Sequence, residues 1–264
     1  MPVRELNRLV LEVLYQDDYL VAVDKPSGWD VHRGGVAGKG AQRPVVLQAL
    51  RDQLGKAVHT VHRLDGGTSG VLLFALDKDS QRLLNASFES RQVKKSYVAL
   101  VRGFARDGSC ADSLRVGNAI QDAFTTFKCL AQIELPWPNE KYAQSRYSLV
   151  EAIPETGRYH QIRRHLNHLG WPVVGDTAHG DGSHNRLWRE HVAVDRLMLH
   201  AASIAFQHPF GGWLEIKSNL PEVFQRAMAL PGWSCVGESA RFSEITAKFP
   251  IISRGRDSLS RLVL

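Results

Sequence analysis

The stretch His62–Gly70 places an acid, a base and two hydroxyls among three glycines. It stands directly before the apolar run Val71–Leu76, which is typical of a buried strand. Within it, Asp65 follows Arg63 by two residues, and the glycines allow the backbone to turn tightly. A carboxylate in such a loop could be a nucleophile, a general base or only a turn former. The stretch by itself leaves all three roles open.

A second segment, Gly157–Leu166, offers a partner for this carboxylate. Its helical spacing defines a buried stripe, formed by Ile162, Leu166 and Leu169. Arg163 lies at the edge of that stripe, where a guanidinium can reach an internal site, whereas His160 and Arg164 face away. An opposite charge close by keeps a carboxylate ionised. The spacing therefore predicts an ion pair between Arg163 and Asp65, with Arg164 facing solvent or a phosphate.

Two further residues have both a structural and a functional interpretation. Tyr97 alternates with apolar residues along Val93–Gly103, so it is either a core tyrosine or an aromatic platform for a base. Lys25 ends an apolar strand at the turn Lys25–Gly28, so it is either a surface lysine or part of a site. The pattern around each residue does not decide between its two interpretations.

Histidines are frequent near the second segment, at His160, His165 and His168. They lack the H-E-x-x-H pattern of a zinc-binding helix, and no cysteine lies nearby. Glycine-rich loops of the Walker or dinucleotide type are missing from the sequence as well. The sequence therefore predicts neither a metal site nor a cofactor.

The composition indicates a globular protein whose charge suits either a basic enzyme of small molecules or a protein with a polyanionic partner. Among 264 residues, 44% are hydrophobic and 23% are charged, as in ordinary folded domains. The formal charge of +6 and the pI of about 9.3 favour a polyanion such as nucleic acid without proving one. Three cysteines without a C-x-x-C pair fit a reducing compartment, and Glu12 interrupts the early apolar run. We expect a cytoplasmic monomer with no membrane partner, since no run approaches the roughly 18 apolar residues of a membrane span.

The elements that must position these residues are strands in runs, with helices inserted between them. Apolar and alternating runs predict strands at Val10–Tyr15, Leu20–Lys25, Val71–Leu76, Val93–Gly103, Phe124–Leu135, Ser145–Ile153, Leu197–Phe206 and Trp213–Ile216. Helical spacing predicts helices at Val45–Leu54, Asp77–Gln92, His160–Leu169 and Glu222–Leu230. Because regular βαβ alternation is missing, the pattern indicates the α+β class, with a mixed, largely antiparallel sheet and flanking helices.

The same patterns predict the domain organisation. We expect a single catalytic domain over residues 1–233 and a polar, basic C-terminal extension over residues 234–264. Residues 1–8 are predicted to be a short polar start, and Gly34–Pro44 a loop rich in glycine and proline.

Together, these motifs resemble the signature of the RluA-type pseudouridine synthases. Four segments carry the resemblance in the expected order: Lys25–Gly28, His62–Asp65 with Thr68–Gly70, Lys95–Tyr97, and Gly157–Arg163. Further segments resemble the subgroup that acts on uridine 65 of tRNA: Lys25–Trp29, Val31–Arg33, Gly175–Asp176, His179–Asp181, Asn185–Arg186, Arg196–Ala201 and His208–Phe210. The chain departs from that subgroup in residues 34–44, in residues 104–144 and after Trp233.

The resemblance implies an enzyme that isomerises uridine in RNA to pseudouridine without a cofactor, on a fold with a central catalytic cleft. It implies that Asp65 is the essential carboxylate, which attacks the sugar or assists an elimination there. Arg163 would pair with Asp65, and Tyr97 would pack against the target base and assist proton transfer. Because a stacked nucleotide hides its glycosidic bond, the base must flip, and Arg63 would enter the vacated space. The RNA-binding residues would be Arg63, Lys25, Arg158 and Arg164.

Two alternatives stay open beside a tRNA substrate. The chain could act on uridine in large-subunit ribosomal RNA, because the departing segments could contact RNA outside the target uridine. It could instead be a non-catalytic RNA-binding module that shares the fold, although the predicted pair of Asp65 and Arg163 argues against that role.

Overall fold

The computed structural model describes residues 10–32 and 43–236, together with Ile245. The predictions for residues 1–8, for most of residues 34–44 and for most of the extension over 234–264 lie outside the described residues. The strands are β1 (Glu12–Gln16), β2 (Leu20–Lys25), β3 (His59–Thr60), β4 (Ser69–Ala75), β5 (Lys94–Arg102), β6 (Gly108–Cys110), β7 (Leu114–Val116), β8 (Ala119–Gln121), β9 (Thr125–Leu135), β10 (Ser145–Pro154), β11 (Leu199–Gln207), β12 (Trp213–Lys217) and β13 (Ser234–Cys235). The helices are α1 (Val46–Leu54), α2 (Lys78–Glu89), α3 (Gln161–His168), α4 (Gly182–Val192) and α5 (Glu222–Met228).

One twisted sheet collects eleven of the described strands, while β7 and β8 form a separate hairpin. The main path of the sheet is β1-β2-β4-β11-β5-β10-β9-β13, with β3 beside β4, β12 beside β11 and β6 beside β9. The pairing of β4 with β11 is parallel, and the other described pairs are antiparallel. The predicted α+β class with a mixed, largely antiparallel sheet is confirmed.

Strand β4 lies between β2 and β11, and all of its residues are buried. Its side chains alternate between two cores: Leu72 and Phe74 pack on the side of Leu50 in α1, while Leu73 packs on the side of Leu84 in α2. A strand covered on both faces needs a continuous apolar run, which explains the sequence after the glycine-rich loop. The buried strand fixes the position of that loop.

The second half of the sheet carries the helix with the other charged motif. Strands β5, β9 and β10 share a core with α3, α4 and α5, in which Tyr147, Trp188 and Phe224 are fully buried. Helix α3 buries Ile162 and Leu166, as its apolar spacing predicts. This packing directs the first turn of α3 toward the loop before β4.

The predicted strands and helices are present, with boundaries that differ by at most three residues. Helix α4 and strands β3, β6, β7, β8 and β13 were not predicted. These strands have two or three residues each, which is too short to display an alternating pattern. Helix α4 buries His184 and Asn185 beside Trp188, so its apolar spacing is weak.

The C-terminal boundary expected after residue 233 falls one residue before β13. Strand β13 pairs with β9, and Ile245 is 3% exposed within the main core. The first residues of the expected extension therefore belong to the sheet. Among the helices in the described ranges, none is long and apolar enough to cross a membrane.

Candidate active site

Asp65 lies in the loop between β3 and β4, where its side chain is 20% exposed. Its carbonyl oxygen accepts a hydrogen bond from the N–H of Thr68 at 3.0 Å, which closes the turn. The neighbouring carbonyl of Gly66 accepts a hydrogen bond from the N–H of Gly28 at 2.7 Å. The loop is therefore tied both to itself and to the turn after β2, and it holds the carboxylate at a fixed place near the surface.

Lys25 is fully buried beneath this loop. Its ammonium donates hydrogen bonds to the carbonyl oxygens of Pro26, Trp29 and Gly66, at 2.8, 2.7 and 3.1 Å. Burial and the charge of Arg196 lower its pKa to about 7. Both a surface lysine and a direct RNA contact are wrong for this position, because the ammonium is sealed from solvent by the backbone it binds. Lys25 instead joins the turn after β2 to the loop that carries the candidate carboxylate.

Arg163 forms the predicted ion pair, but a second carboxylate holds it more firmly. Its Nη1 donates to Oδ2 of Asp65 at 3.2 Å, whereas its Nε and Nη2 donate to the two oxygens of Asp176 at 2.7 Å each. Such a two-pronged contact fixes the plane of a guanidinium. Burial lowers the pKa of Arg163, but its hydrogen bonds to Asp176 and the charges of both carboxylates outweigh burial and raise it. The cation beside Asp65 is therefore permanent and fixed in place.

Asp176 is held in turn by the segment around it. One of its oxygens accepts hydrogen bonds at 2.9 Å from the backbone N–H groups two and three residues further along the chain. The Asn185 side chain accepts from the N–H of Gly175 and donates to the carbonyl of Asp176, at 2.7 and 2.9 Å. A Cβ at Gly175 would lie 1.9 Å from the carbonyl oxygen of Arg196, so only glycine fits there. This tight turn places the buried carboxylate of Asp176 within hydrogen-bond distance of Arg163.

His160 lies at the site, although the helical wheel predicted that it faces away. Helix α3 begins at Gln161, and His160 precedes it with a left-handed φ of 54°, so the wheel does not apply. Its Nε2 lies 3.9 Å from Oδ2 of Asp65, and its Nδ1 is hydrogen-bonded to His179 at 2.9 Å. Burial lowers the pKa of His160 to about 4, so the ring is neutral at physiological pH. The neutral imidazole and Tyr159, which stacks on it, form one wall beside the carboxylate.

Tyr97 lies on β5 between β11 and β10, paired with Ala201 and Ala152. Its ring is half-buried and borders the same opening as Asp65 and Arg163. Burial, and secondarily the charge of Asp65, raises its pKa far above the ordinary range of tyrosine. The phenol therefore stays protonated and presents a flat apolar face with a hydrogen-bond donor.

Two cavities adjoin Asp65. The target cavity, about 640 Å³, contains Tyr97, Lys95 and Phe88, and the flanking cavity, about 480 Å³, contains Asp30, Arg43 and Asp195. Both volumes lie within the range of small-ligand sites, about 300–1,000 Å³. The residues that line both cavities are Arg63, Leu64, Asp65, Tyr159, His160 and Arg163. The carboxylate thus lies on the ridge between two openings, each large enough for a nucleoside-sized group.

Of the three other arginines predicted at the site, two line a cavity and one does not. Arg63 is exposed and lines both cavities, while Arg158 lines the target cavity and donates to the carbonyl of Asp122 at 3.1 Å. Arg164 lines neither cavity, and it donates to the carbonyl of Arg115 at 3.0 Å. The structure brings together five of the predicted site residues, which are Asp65, Tyr97, Arg163, Arg63 and Arg158. It leaves out Lys25 and Arg164.

Asp176 was not predicted as a site residue, although Gly175–Asp176 is one of the resembling segments. A glycine after the apolar pair Val173–Val174 is a signal for a turn. That signal could have located a polar turn, but not its contact with α3, which depends on tertiary packing. Within the described ranges, no group of three or more histidine, cysteine or carboxylate side chains could hold a metal ion.

Comparison with known proteins places the chain in a family. Residues 19–168 match the family described as RNA pseudouridylate synthase. That match covers more than half of the 264 residues. The chain belongs to the RNA pseudouridylate synthase family, a family of isomerases.

Several of its relatives carry a more specific name, tRNA pseudouridine synthase C. The chain is 43% identical over 238 residues to the protein of that name from Vibrio cholerae, with 85% of this chain and 97% of that protein covered. It is 47% identical over 214 residues to the one from Pasteurella multocida, with 76% and 87% covered. It is 44% identical over 238 residues to the one from Pectobacterium carotovorum, where it covers 85% of itself and only 63% of the longer relative.

Solved structures share the fold at lower identity. Human RNA Pseudouridylate Synthase Domain Containing 1 superimposes with a TM-score of 0.68 at 24% identity, over 92% of this chain and 95% of that one. Human RNA Pseudouridylate Synthase Domain Containing 4 gives a TM-score of 0.63 at 24% identity, over 82% and 91%. These similarities establish the fold.

Proposed function

We propose that this protein converts a uridine of tRNA, at position 65, into pseudouridine. The names of relatives that are 43–47% identical support a tRNA substrate. The resemblance of its motifs to the position-65 subgroup supports the particular uridine. The enzyme would work in the cytoplasm as a monomer, with its catalytic machinery in a single domain that includes β13, beyond the boundary predicted at residue 233.

The observation that carries this proposal is the arrangement around Asp65. Its carboxylate is accessible, touches a guanidinium that Asp176 immobilises, and borders the cavity that Tyr97 lines. The contact with Arg163 holds the carboxylate in place, which both a nucleophile and a base at the sugar require. A carboxylate that served only as a turn former would not need an immobilised cation beside it.

The proposed reaction conserves all atoms. The C1′–N1 bond of the nucleotide breaks, and its electron pair leaves with the uracil ring. Asp65 either bonds to C1′ or removes a neighbouring proton from the sugar, and that step is reversed later. C5 of the turned ring then donates an electron pair to C1′, so a carbon–carbon bond forms. C5 loses its proton and N1 gains one, so neither water nor an oxidant is consumed.

Access to the glycosidic bond requires that the target base leave its stack. The flipped uracil would enter the target cavity and lie against the Tyr97 ring, whose protonated hydroxyl can donate to it. Arg63 is exposed on the rim that both cavities share, where it can occupy the space left in the RNA. Tyr97 would thus hold the flipped base, and Arg63 would fill the space that the base leaves in the RNA.

The surrounding arginines would hold the RNA backbone. Arg158 and Arg164 each use one N–H group on a backbone carbonyl, which leaves other donors of a five-donor guanidinium for phosphates. The formal charge of +6 would add a long-range, salt-dependent attraction to tRNA. Lys25 has no part in this binding because it is buried.

The test replaces Asp65 with asparagine, which keeps the shape and removes the charge. Asp65→Asn should abolish pseudouridine formation while the Kd for tRNA changes by less than about three-fold. Asp52→Asn, at an exposed residue of α1, is the matched control and should behave like the wild type. Normal turnover by Asp65→Asn would refute the proposed role of the carboxylate.

The substrate is tested in cells that lack the protein. Mapping of pseudouridine should show that position 65 of tRNA loses the modification while ribosomal RNA keeps all of its sites. Loss from large-subunit ribosomal RNA would move the substrate to that RNA. Loss at neither place, with tRNA binding intact, would favour a non-catalytic RNA-binding protein.

A further inference from the structure

Lys95 projects into the target cavity without an obvious structural reason to be there. Residues two apart on a strand face the same side, so Lys95 shares the face of Tyr97 on β5. Both residues line the cavity that Asp65 borders. The neighbouring Lys94 is exposed and lies over the ring of Trp213, on the opposite face of the strand.

The ammonium of Lys95 has little compensation inside the protein. It donates one long hydrogen bond, 3.4 Å, to the carbonyl of Thr156. Across residues 10–32 and 43–236, no ion pair within 4.0 Å joins it to a carboxylate. Burial lowers its pKa to about 8, so the cationic form still prevails at neutral pH. A half-buried charge that the protein does not pair is costly unless a ligand pairs with it.

His62, which also lines the target cavity, adds no charge beside Lys95. Burial, and then the charge of Lys95, lowers the pKa of His62 to about 3, so its ring is neutral. Its Nε2 accepts a hydrogen bond from the N–H of Leu73 at 2.9 Å, which fixes it in the wall. The Lys95 ammonium therefore has a neutral ring beside it in this part of the wall, an arrangement that leaves it available to an anionic oxygen.

We propose that Lys95 is a further catalytic residue, which stabilises the negative charge that uracil acquires when the C1′–N1 bond breaks. The proposal rests on the proposed function. The electron pair of the broken bond spreads over N1, O2 and O4 of the ring, and the Lys95 ammonium binds one of these carbonyl oxygens. When C5 bonds to C1′ and loses its proton, the ring becomes neutral and the contact weakens. Groups aimed at charge that develops in the transition state accelerate a reaction, whereas uniform binding does not.

The position of Lys95 favours uracil over a phosphate as its partner. Lys95 lies on the Tyr97 face of β5, inside the cavity that would receive the base. Phosphates remain solvated and are contacted most readily at the rim, where Arg63 is exposed. A lysine within the base pocket is therefore placed to meet the ring rather than the backbone.

The test compares Lys95→Met with the matched control Lys94→Met, which removes the adjacent lysine from the other face of the same strand. Single-turnover conversion of tRNA should slow about 100-fold in Lys95→Met, while the Kd for tRNA changes less than about three-fold. Lys94→Met should convert tRNA at the rate of the wild type. Lys95→Arg should recover part of the lost rate because it restores a cation, and Lys95→Gln replaces the methionine variant if that variant fails to fold.

A second substrate distinguishes uracil from phosphate. The electron-withdrawing fluorine of 5-fluorouridine makes the ring a better leaving group, so it needs less stabilisation. With this nucleotide at the target position, the loss of the original nucleoside should slow less than about ten-fold in Lys95→Met. Equal slowing with both nucleotides, or a loss confined to Kd, would overturn the proposal and indicate a phosphate contact.

The wild-type reaction in the same experiment separates this proposal from the proposed function. A wild type that leaves every tRNA uridine unchanged would overturn the proposed function and the role of Lys95 together. A wild type that forms pseudouridine, with Lys95→Met converting at an unchanged rate, would overturn only the role of Lys95.

Discussion

Arg163 donates two hydrogen bonds of 2.7 Å to Asp176 and one of 3.2 Å to Asp65. The buried carboxylate of Asp176 therefore positions the guanidinium of Arg163. The remaining nitrogen, Nη1, contacts the accessible carboxylate of Asp65. Burial raises the pKa of Asp176, but its hydrogen bonds to Arg163 and to backbone N–H groups lower it overall. Because Asp176 is permanently charged, Asp65 does not have to supply the energy that orients Arg163.

Because Asp176 orients Arg163 and Arg163 in turn contacts Asp65, we can predict the effect of Asp176→Asn. The amide keeps the size of the side chain but loses the charge, so Arg163 can rotate toward Asp65 and misalign it. Misplacement of a reacting group by about 1 Å costs about 100-fold, so we expect a single-turnover rate lower by about that factor. The Kd for tRNA should change less than about three-fold, since Asp176 is buried.

The control for that experiment is Asp181→Asn, which removes another carboxylate paired with an arginine, Arg102. Both variants should unfold at a lower denaturant concentration than the wild type. At temperatures where both are folded, only Asp176→Asn should lose the rate. Equal rates in the two variants would show that Asp176 contributes stability alone.

Lys25→Met tests the structural role of the buried lysine. The change removes a donor from three backbone carbonyls, of which that of Gly66 keeps the N–H of Gly28. The carbonyls of Pro26 and Trp29 are left unsatisfied, and each unsatisfied buried group costs about 1–3 kcal/mol, so the free energy of unfolding should fall by at least about 2 kcal/mol. The dependence of tRNA affinity on salt should stay the same. A phosphate contact would instead lower the slope of log K against log salt by about 0.7–0.9. Denaturant titration and binding at several salt concentrations measure the two quantities.

The sequence predicts the parts of this site that follow from local periodicity. The edge position of Arg163 beside the Ile162 stripe is visible from helical spacing, and the pair with Asp65 follows once the two charges are assumed to meet. The contact with Asp176 is not visible, because it joins α3 to a turn 13 residues further on through tertiary packing. The position of His160 was predicted wrongly because a helix start displaced by one residue changes the direction of the side chain before it.

Lys25 shows a second limit of sequence interpretation. A lysine at the end of an apolar strand is usually exposed, and only the arrangement of backbone carbonyls around the next turn makes burial possible. Strand β4, by contrast, was predictable because burial on both faces demands an unbroken apolar run. The burial of a strand on both faces can be predicted from the sequence because it requires an apolar run. The burial of Lys25 cannot, because it depends on carbonyl groups that two separate loops bring together.

The depressed pKa of Lys95 predicts a pH dependence. The protonated form is the active one, so activity is present below the folded-state pKa of about 8 and falls as the pH rises through it. Since kcat/KM reports the free enzyme, it should decline about ten-fold per pH unit above pH 8.

Other groups that line the target cavity determine whether this decline can be assigned to Lys95. His62 stays neutral and Tyr97 stays protonated between pH 7 and pH 9, since their pKa values lie far outside that range. The remaining ionisable groups in the wall are Arg63, Asp65, Glu89, Arg91, Glu155, Arg158, Tyr159, His160 and Arg163. In Lys95→Met the decline above pH 8 should be absent, and its persistence there would assign it to another group.

Arg63→Gln tests whether the exposed arginine replaces the flipped base. The glutamine cannot fill the vacated stack or neutralise a phosphate there, so extrusion of the base becomes harder. Unstacking costs a few kcal/mol, so conversion of a tRNA whose target lies in a paired stem should slow about 10- to 100-fold. An RNA with the target uridine already bulged should slow less than about three-fold, because its extrusion cost is small. Arg51→Gln, an exposed arginine of α1 that lines neither cavity, should slow neither substrate. If Arg63→Gln slows the paired and the bulged RNA equally, Arg63 acts as a plain phosphate contact and leaves base flipping to other residues.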